Sequence, residues 1–193
     1  SGGLNVPFFS IYTPASTQLD STSHEMALAL IDMVEDIVTL HPDKFFIVKS
    51  TNDIEMLNKE RLGIAFGMEN GAPIQGDLSR VQFYHDKGIR YITLTHSKTN
   101  HISDSSYDEN HQWGGGLSSF GKDLIREMNK VGIMVDISHV SDKAFYESIE
   151  ISEAPVIASH SSLRHFTPGF ERNVSDDMLI KLASKGGVIS INF

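Results

Sequence analysis

The sequence predicts an α/β fold built as part of a (β/α)8 barrel, and three observations lead to this prediction. Short apolar runs alternate with helical patterns along the 193 residues, which is typical of a parallel sheet covered by helices. Residues 132–160 show the pattern of a strand, a helix and a second strand. Polar side chains follow four successive predicted strands, and in a barrel those strand ends surround one pocket.

A doubly wound sheet is the alternative, because it has the same alternation of strands and helices. In that fold the strand ends are spread along an edge, and only the switch point forms a crevice. A barrel gathers all four polar residues into one site and is therefore favoured. The four candidates are Glu69, His96, His139 and His160.

The first predicted strand covers residues 6–12, where apolar β-formers stand between a glycine pair and a proline. A helix over residues 25–40 follows, with a broad apolar stripe at helical spacing. Residues 45–48 are rich in β-formers but short, so an edge strand and an irregular segment both stay open. Residues 62–68 are predicted to be a buried strand, and Glu69 stands at its end.

The next helix is predicted over residues 77–87, with Asp77 as its N-cap and a glycine after its last residue. Residues 91–95 are predicted to form a strand, and His96 follows directly. A polar loop rich in Ser, His and Gly then covers residues 97–116.

A helix opened by Ser118 leads into the stretch 132–160. Its two apolar runs are too short for amphipathic helices, and Ser141 can cap the helical segment between them. Such a βαβ unit has a right-handed crossover that returns parallel, so His139 and His160 leave the same edge of the sheet. We expect the two imidazoles to converge.

The last predicted elements are a helix capped by Ser175 and a strand over residues 188–193. All these elements are expected to form a single domain over residues 1–193, with about six of the eight βα units of a barrel.

Composition excludes several classes of function. The net charge of −9 and the lack of a basic run argue against nucleic acid and anionic membranes as partners. Without cysteine, a metal site must use His, Asp and Glu. No apolar run approaches the roughly 20 residues of a membrane span, and the N-terminus lacks the features of a signal peptide. The compartment stays open.

Glu69, His139 and His160 form the candidate metal site. A carboxylate flanked by an apolar strand is costly to bury without a partner, and a metal ion is one such partner. Two imidazoles and one carboxylate are the protein ligands of a catalytic zinc site with an open position. A salt bridge from Glu69 to a nearby Arg or His is the structural alternative.

Other histidines fit a site less well. His41 and Asp43 have the His-x-Asp spacing of a metal pair, but they precede an extended segment and are predicted to form a turn. Three further histidines lie on a helix or in the polar loop and are expected to be solvated: His85, His101 and His111.

Five segments together resemble the membrane dipeptidase (renal dipeptidase) family of the amidohydrolase superfamily. They are GMENG (67–71), RYITLTHSKTN (90–100), GLSSFGKDLIREMNKVGIMVDISHVS (116–141), PVIASHSS (155–162) and ERN (171–173). They occur in the family's order and span nearly the whole chain.

The resemblance implies a binuclear zinc barrel that hydrolyses dipeptides. By this match, Glu69 would bridge both metals, and His139 and His160 would complete the shell of one of them. His96 matches a histidine that contacts the substrate and the tetrahedral intermediate without binding metal. Arg172 matches the arginine that anchors a substrate carboxylate, a pairing for which a guanidinium fork is suited. The metals would polarise the scissile carbonyl and generate hydroxide, while His96 stabilises the oxyanion.

Two parts of the family pattern are missing from this sequence. They are a His-x-Asp pair after the first strand and an Asp after the eighth. We therefore expect a fragment of the barrel without its first and last strands, which retains one of the two zinc sites, while activity belongs to the intact parent. Its two unpaired sheet edges are expected to favour a homodimer or another strand-edge association.

Two alternatives for the function stay open. One is a non-catalytic zinc-binding or assembly fragment, which would bind metal without turnover. The other is a different hydrolase of the same superfamily that acts on cyclic amides or N-acyl amino acids. A requirement for a free α-carboxylate on the substrate separates the dipeptidase from this last class.

Overall fold

The structure, a computed structural model, describes residues 3–55, 57 and 61–192. Its strands are β1 (Phe8–Tyr12), β2 (Phe45–Ile47), β3 (Leu62–Glu69), β4 (Ile89–Thr93), β5 (Met134–Asp136), β6 (Ile157–Ser161) and β7 (Val188–Ile191). Its α-helices are α1 (Ser16–Leu19), α2 (Ser23–Leu40), α3 (Thr51–Glu55), α4 (Ser79–Lys87), α5 (Ser119–Val131), α6 (Asp142–Ile151) and α7 (Asp176–Ser184). Two short 3₁₀ helices cover Ala72–Ile74 and Arg164–Phe166.

The strands form one parallel sheet in the order β1-β3-β4-β5-β6-β7. The order follows the chain and never reverses, as in the wall of a (β/α)8 barrel, whereas a doubly wound sheet reverses at its switch point. The predicted α/β fold with a partial barrel is therefore confirmed. The open question at residues 45–48 is settled as a short strand, β2, which pairs with Leu62–Ile64 of β3.

The two faces of the sheet have different surroundings. Ile92 and Val135 are fully buried in the same apolar core as Leu124 of α5. Successive side chains of a strand point to opposite faces. Tyr91 and Met134 accordingly line a cleft of about 540 Å³ on the other face, which is the inner face of the barrel wall.

Serine caps fix where three helices begin, as predicted. The side chains of Ser118, Ser141 and Ser175 accept hydrogen bonds from backbone N–H groups in the first turns of α5, α6 and α7. Gly132 ends α5 with a φ of 95°, a left-handed conformation that suits glycine. Among the described residues, none of the helices combines the length and the apolar character needed to cross a membrane.

Several predicted boundaries were wrong by one or two residues. The N-cap of α4 is Leu78 rather than the predicted Asp77, whose side chain accepts hydrogen bonds from Ser79 in a turn before the helix. Strands β4 and β5 were predicted to end at residues 95 and 138, directly before two of the candidate histidines, but each ends two residues earlier. The short helices α1 and α3 were not predicted. Phe193, placed in the last predicted strand, lies outside the described residues.

Candidate active site

Four side chains from neighbouring strands meet at the C-terminal edge of the sheet. Glu69 is the last residue of β3, and His160 lies within β6. His96 and His139 each stand three residues beyond the end of a strand, β4 and β5 respectively. Glu69 Oε1 lies 3.1 Å from His160 Nε2, 3.4 Å from His96 Nε2 and 3.6 Å from His139 Nε2. The structure thus brings together the four candidates from the sequence.

A turn after β5, rather than the strand itself, positions His139. The N–H of Ile137 still donates to the carbonyl of Ile157 on β6, at 2.8 Å, and the chain then turns. His139 has a φ of 71°, a left-handed conformation that is uncommon for a residue with a Cβ. Its carbonyl accepts hydrogen bonds from the N–H and the hydroxyl of Ser106, at 2.8 and 3.0 Å. The polar loop therefore holds this turn in place.

The geometry of three of these residues fits a metal site. One ligand atom each from Glu69, His139 and His160 lies within 4.8 Å of the others. The two Nε2 atoms lie only 2.8 Å apart. Three potential ligand atoms converge on one point, where a cation could contact all of them. Carboxylate oxygen and imidazole nitrogen are ligands that zinc prefers, so the donor set can hold a metal ion.

The protonation states of Glu69 and His139 also fit a metal site. Burial alone would raise the pKa of Glu69, but contacts with three histidines and with Ser10 outweigh it and hold the pKa well below its ordinary value. Burial lowers the pKa of His139 to about 4, despite the opposing contact with Glu69. At neutral pH, Glu69 is an anion and His139 a neutral imidazole, which are the forms that bind metals.

His96 lies beside the donor set rather than within it. Its ring centroid is 4.1 Å from that of His139 and 4.9 Å from that of Tyr12. Its Nε2 faces Glu69, and its buried Nδ1 has no hydrogen-bond partner among the described residues. Tilted ring contacts with His139 and Tyr12 therefore hold the imidazole of His96 next to the donor atoms.

Arg172 is brought to the same place from a loop far along the chain. Its Nη1 donates to Ser161 Oγ at 2.7 Å, and its Nη2 donates to the carbonyl of His160 at 2.6 Å. Nη2 also lies 3.2 Å from His139 Nε2. Burial lowers the pKa of this guanidinium. Arg172 borders a cleft of about 510 Å³ whose other lining residues include Tyr107, Phe166 and Phe170.

Sequence reasoning missed several residues around the site. Ser10 on β1 donates to Glu69 Oε2 at 2.6 Å. Asp136 and Ser159 form a hydrogen-bonded group next to His160. Each of these three is a polar residue inside an apolar predicted strand, and that contrast was the signal available in the sequence.

One prediction about the polar loop, the solvated state of His101, is wrong. His101 was expected to be solvated, but burial lowers its pKa to about 4. Its ring centroid lies 5.3 Å from that of Phe120, and its Nε2 is buried without a hydrogen-bond partner among the described residues. The polar loop therefore packs against α5 instead of extending into solvent.

Comparison with known proteins places the chain in a family. Residues 1–193 match the model of the membrane dipeptidase family, peptidase family M19. The chain is 36% identical over 203 aligned positions to Dipeptidase tcpJ of Claviceps purpurea, and 32% identical over 193 to Dipeptidase 3 of Mus musculus. These alignments cover 100% and 98% of the chain but 47% and 38% of the relatives, so the chain spans less than half the length of either.

A solved structure shows the same fold. The probable dipeptidase PvdM from Pseudomonas aeruginosa superposes with a TM-score of 0.83 at 28% sequence identity. The superposition covers 92% of this chain and 46% of that protein. Together with the match over the whole sequence, these comparisons show that the chain belongs to the membrane dipeptidase family, peptidase family M19.

Proposed function

We propose that this chain carries part of the active site of a metal-dependent dipeptidase. The observation that supports the proposal is the convergence of Glu69, His139 and His160 at the C-terminal edge of a parallel sheet. That edge is where barrel enzymes place their active sites. The family and the names of the relatives agree with this activity.

Zinc is the metal that we assign to this donor set. Glu69, His139 and His160 would hold one ion, and a second ion of the family pattern would need ligands beyond these three. When bound, the metal supplies a Lewis acid that polarises a carbonyl oxygen. The chain's own contribution is to hold Glu69 as an anion and His139 as a neutral imidazole, which are the forms that bind metals.

His96 and Arg172 have separate roles in the proposal. The Nε2 of His96 lies beside the donor set, where it can donate to the oxygen of a carbonyl that gains negative charge. The guanidinium of Arg172 would pair with the terminal carboxylate of the substrate. A free terminal carboxylate close to the scissile bond distinguishes a dipeptide from an internal segment of a protein.

Calorimetric titration with Zn²⁺ tests the metal centre. Wild-type chain is expected to bind about one equivalent, and Glu69→Gln is expected to bind at least about 100-fold more weakly because it loses the anionic ligand. The matched control is Glu150→Gln, which removes the same charge at an exposed position of α6. Equal zinc affinity in all three proteins would contradict the proposed site.

The need for a free terminal carboxylate on the substrate tests the proposed dipeptidase activity. With added Zn²⁺, a dipeptide is expected to be cleaved and its C-terminal amide to be cleaved far more slowly, because the amide gives Arg172 no anion to bind. Arg172→Ala is expected to remove this difference. Bound metal without turnover would favour the non-catalytic zinc-binding alternative. Equal cleavage of the two substrates would favour a hydrolase of cyclic amides or N-acyl amino acids.

We also infer that a second copy of the chain is a partner. Within the described residues, β1 pairs only with β3, and β7 pairs only with β6. Exposed apolar side chains lie on both outer strands, among them Phe8 and Val188. Sedimentation velocity at increasing concentration is expected to show association that Val188→Lys weakens. Ile180→Lys, on the exposed surface of α7, is the control expected to leave it unchanged.

A further inference from the structure

Asp136 is a fully buried carboxylate that the proposed reaction does not use. It ends β5, and its side chain accepts four hydrogen bonds. Oδ1 accepts from the N–H groups of Ser138 and Ser159, at 3.1 and 2.9 Å. Oδ2 accepts from the hydroxyls of Thr93 and Ser159, both at 2.6 Å. All four contacts are donated to the carboxylate, so its buried charge is satisfied by neighbours on β4, β6 and the turn after β5.

Ser159 connects this carboxylate to the candidate metal ligand His160. Its Oγ lies 2.6 Å from Asp136 Oδ2 and 2.7 Å from His160 Nδ1. A serine hydroxyl has a single proton to donate. Because Asp136 can only accept, that proton is directed at Oδ2. The contact between Oγ and Nδ1 is then a hydrogen bond only if Nδ1 carries a proton.

We propose that Asp136 is a positioning residue that acts through Ser159 to keep a proton on Nδ1 of His160, and so reserves Nε2 for the metal. The proposal rests on the proposed metal site. Nε2 is the atom that faces Glu69 and His139, at 3.1 and 2.8 Å. The hydrogen-bonded series Asp136–Ser159–His160 therefore leaves the lone pair on Nε2, which faces the other two candidate ligands.

This support is specific to one of the two histidine ligands. The Nδ1 of His139 is buried without a hydrogen-bond partner among the described residues. His160 is also held through its backbone, because its N–H donates to Ser138 Oγ at 3.1 Å and its carbonyl accepts from Arg172. The orientation of the His160 ring thus has several supports. Two contacts act on its proton: the link through Ser159 favours Nδ1, whereas the carboxylate oxygen of Glu69, 3.1 Å from Nε2, favours Nε2 as long as no metal lies between them.

Asp136→Asn is expected to reverse the direction of the hydrogen bonds that run from His160 through Ser159 to Asp136. The two backbone N–H groups at Oδ1 need an acceptor, so the amide oxygen takes that place and the amide NH₂ takes the place of Oδ2. The NH₂ group then donates to Ser159 Oγ. The hydroxyl of Ser159 turns to donate to His160 Nδ1, and the ring proton moves to Nε2. That tautomer blocks the lone pair that the metal needs.

Zinc affinity, measured by competition with a chelator, is the first test. Loss of a partner that orients a ligand commonly lowers metal affinity by about 10- to 100-fold, and we expect this loss in Asp136→Asn and Ser159→Ala. Ser159→Thr keeps the hydroxyl and is expected to keep most of the affinity. The matched control is Thr93→Val, which removes a different donor to the same Oδ2 and is expected to bind zinc as the wild type does. Ser159 is partly exposed, so Ser159→Ala carries the test if Asp136→Asn does not fold.

Nitrogen-15 NMR of the His160 ring in the metal-free chain is the second test. We expect Nδ1 to carry a proton in the wild type and to lose it in Asp136→Asn, where the proton lies on Nε2 beside Glu69. Wild-type zinc affinity in both Ser159→Ala and Asp136→Asn, or a wild-type ring without a proton on Nδ1, would overturn the proposal. If the wild type binds no zinc but shows a protonated Nδ1, the metal centre fails while the proton assignment stands.

Discussion

At the scale of single residues, burial decides the charge of two imidazoles, those of His139 and His101. His139 contacts the anionic Glu69, which by itself would favour the charged ring, yet burial outweighs that contact and lowers the pKa to about 4. His101 reaches the same value through burial alone. Both rings are therefore neutral at neutral pH. In the folded protein they bind a proton only near pH 4.

The first prediction concerns His101 and pH. The unfolded chain binds a proton on this ring near pH 6.5, whereas the folded chain binds it only near pH 4. The stabilising contribution is therefore complete above pH 6.5 and is lost as the pH falls from about 6.5 to about 4. Urea unfolding across this interval is expected to show a shallower pH dependence for His101→Gln than for the wild type. His111→Gln, at an exposed position of the same loop, is the control, and equal slopes for wild type and His101→Gln would contradict the assignment.

At the scale of elements, serine caps and close packing place the helices that lie behind the site. Ser118 is a buried cap that makes two contacts. Its Oγ accepts from the N–H of Gly121 at 2.9 Å, and its hydroxyl donates to the carbonyl of His101 at 2.6 Å. Ser175 caps α7 through a longer contact with the N–H of Met178, at 3.3 Å, and is partly exposed. The cap of α5 is therefore also tied to the polar loop, whereas the side chain of Ser175 has a hydrogen bond only with the first turn of α7 among the described residues.

The second prediction compares these two caps. Ser118→Ala loses the cap and leaves a carbonyl without its donor, so the free energy of unfolding is expected to fall by about 2 kcal/mol. Ser175→Ala is expected to cost about 1 kcal/mol or less. Chemical denaturation of both variants measures the difference. Equal losses of unfolding free energy in the two variants would show that the contact between Ser118 and His101 adds no stability beyond that of the cap.

The third prediction concerns Gly121, where α5 lies directly on the polar loop. A Cβ at this position would stand 2.2 Å from the carbonyl oxygen of Ile102, a backbone atom that cannot rotate away. Alanine would add about 1 kcal/mol of helix propensity, but overpacking costs about 1–3 kcal/mol or more, so Gly121→Ala is expected to destabilise the protein. Ser119→Ala, at an exposed position of the same helix, is expected to change stability by less than about 0.5 kcal/mol. A Gly121→Ala variant as stable as the wild type in urea would contradict the close contact.

At the scale of the whole molecule, the site joins parts of the chain that are far apart in sequence. Glu69, His139 and His160 lie at the ends of three strands of one sheet, and α4, the polar loop, α5 and α6 separate them along the chain. A metal at this point would connect these segments in the folded state only. Binding and global stability are therefore linked.

The fourth prediction uses that linkage. At free zinc about 100 times the dissociation constant, the unfolding free energy is expected to rise by about 2.7 kcal/mol, and a chelator is expected to reverse the rise. Thermal unfolding with and without zinc measures this effect. Zinc is expected to change the unfolding free energy of Glu69→Gln very little. It is expected to raise that of Glu150→Gln as much as that of the wild type. A rise of equal size in Glu69→Gln would place the stabilising ion elsewhere.

Local sequence patterns predicted the fold class and much of the site because both depend on short-range rules. Apolar runs, serine caps and the glycine after α5 are properties of a few neighbouring residues, and their order along the chain implies parallel strands. Parallel strands in turn bring their C-terminal ends to one edge, so Glu69, His139 and His160 were expected to meet. Boundaries were less predictable: β5 ends at Asp136 because the chain turns before His139, a local conformation with no apolar or polar signature.

By itself, the sequence determined the order of the strands and helices, and the residue types that stand where strands end. Only the tertiary structure decided which atoms meet there. The links from Ser10 to Glu69 and from Asp136 through Ser159 to His160 depend on the register between neighbouring strands. Burial of His101 and His139 depends on how the polar loop and its neighbours pack. Register and packing arise from contacts between residues far apart in the chain, whereas periodicity and capping involve only residues within a few positions of one another.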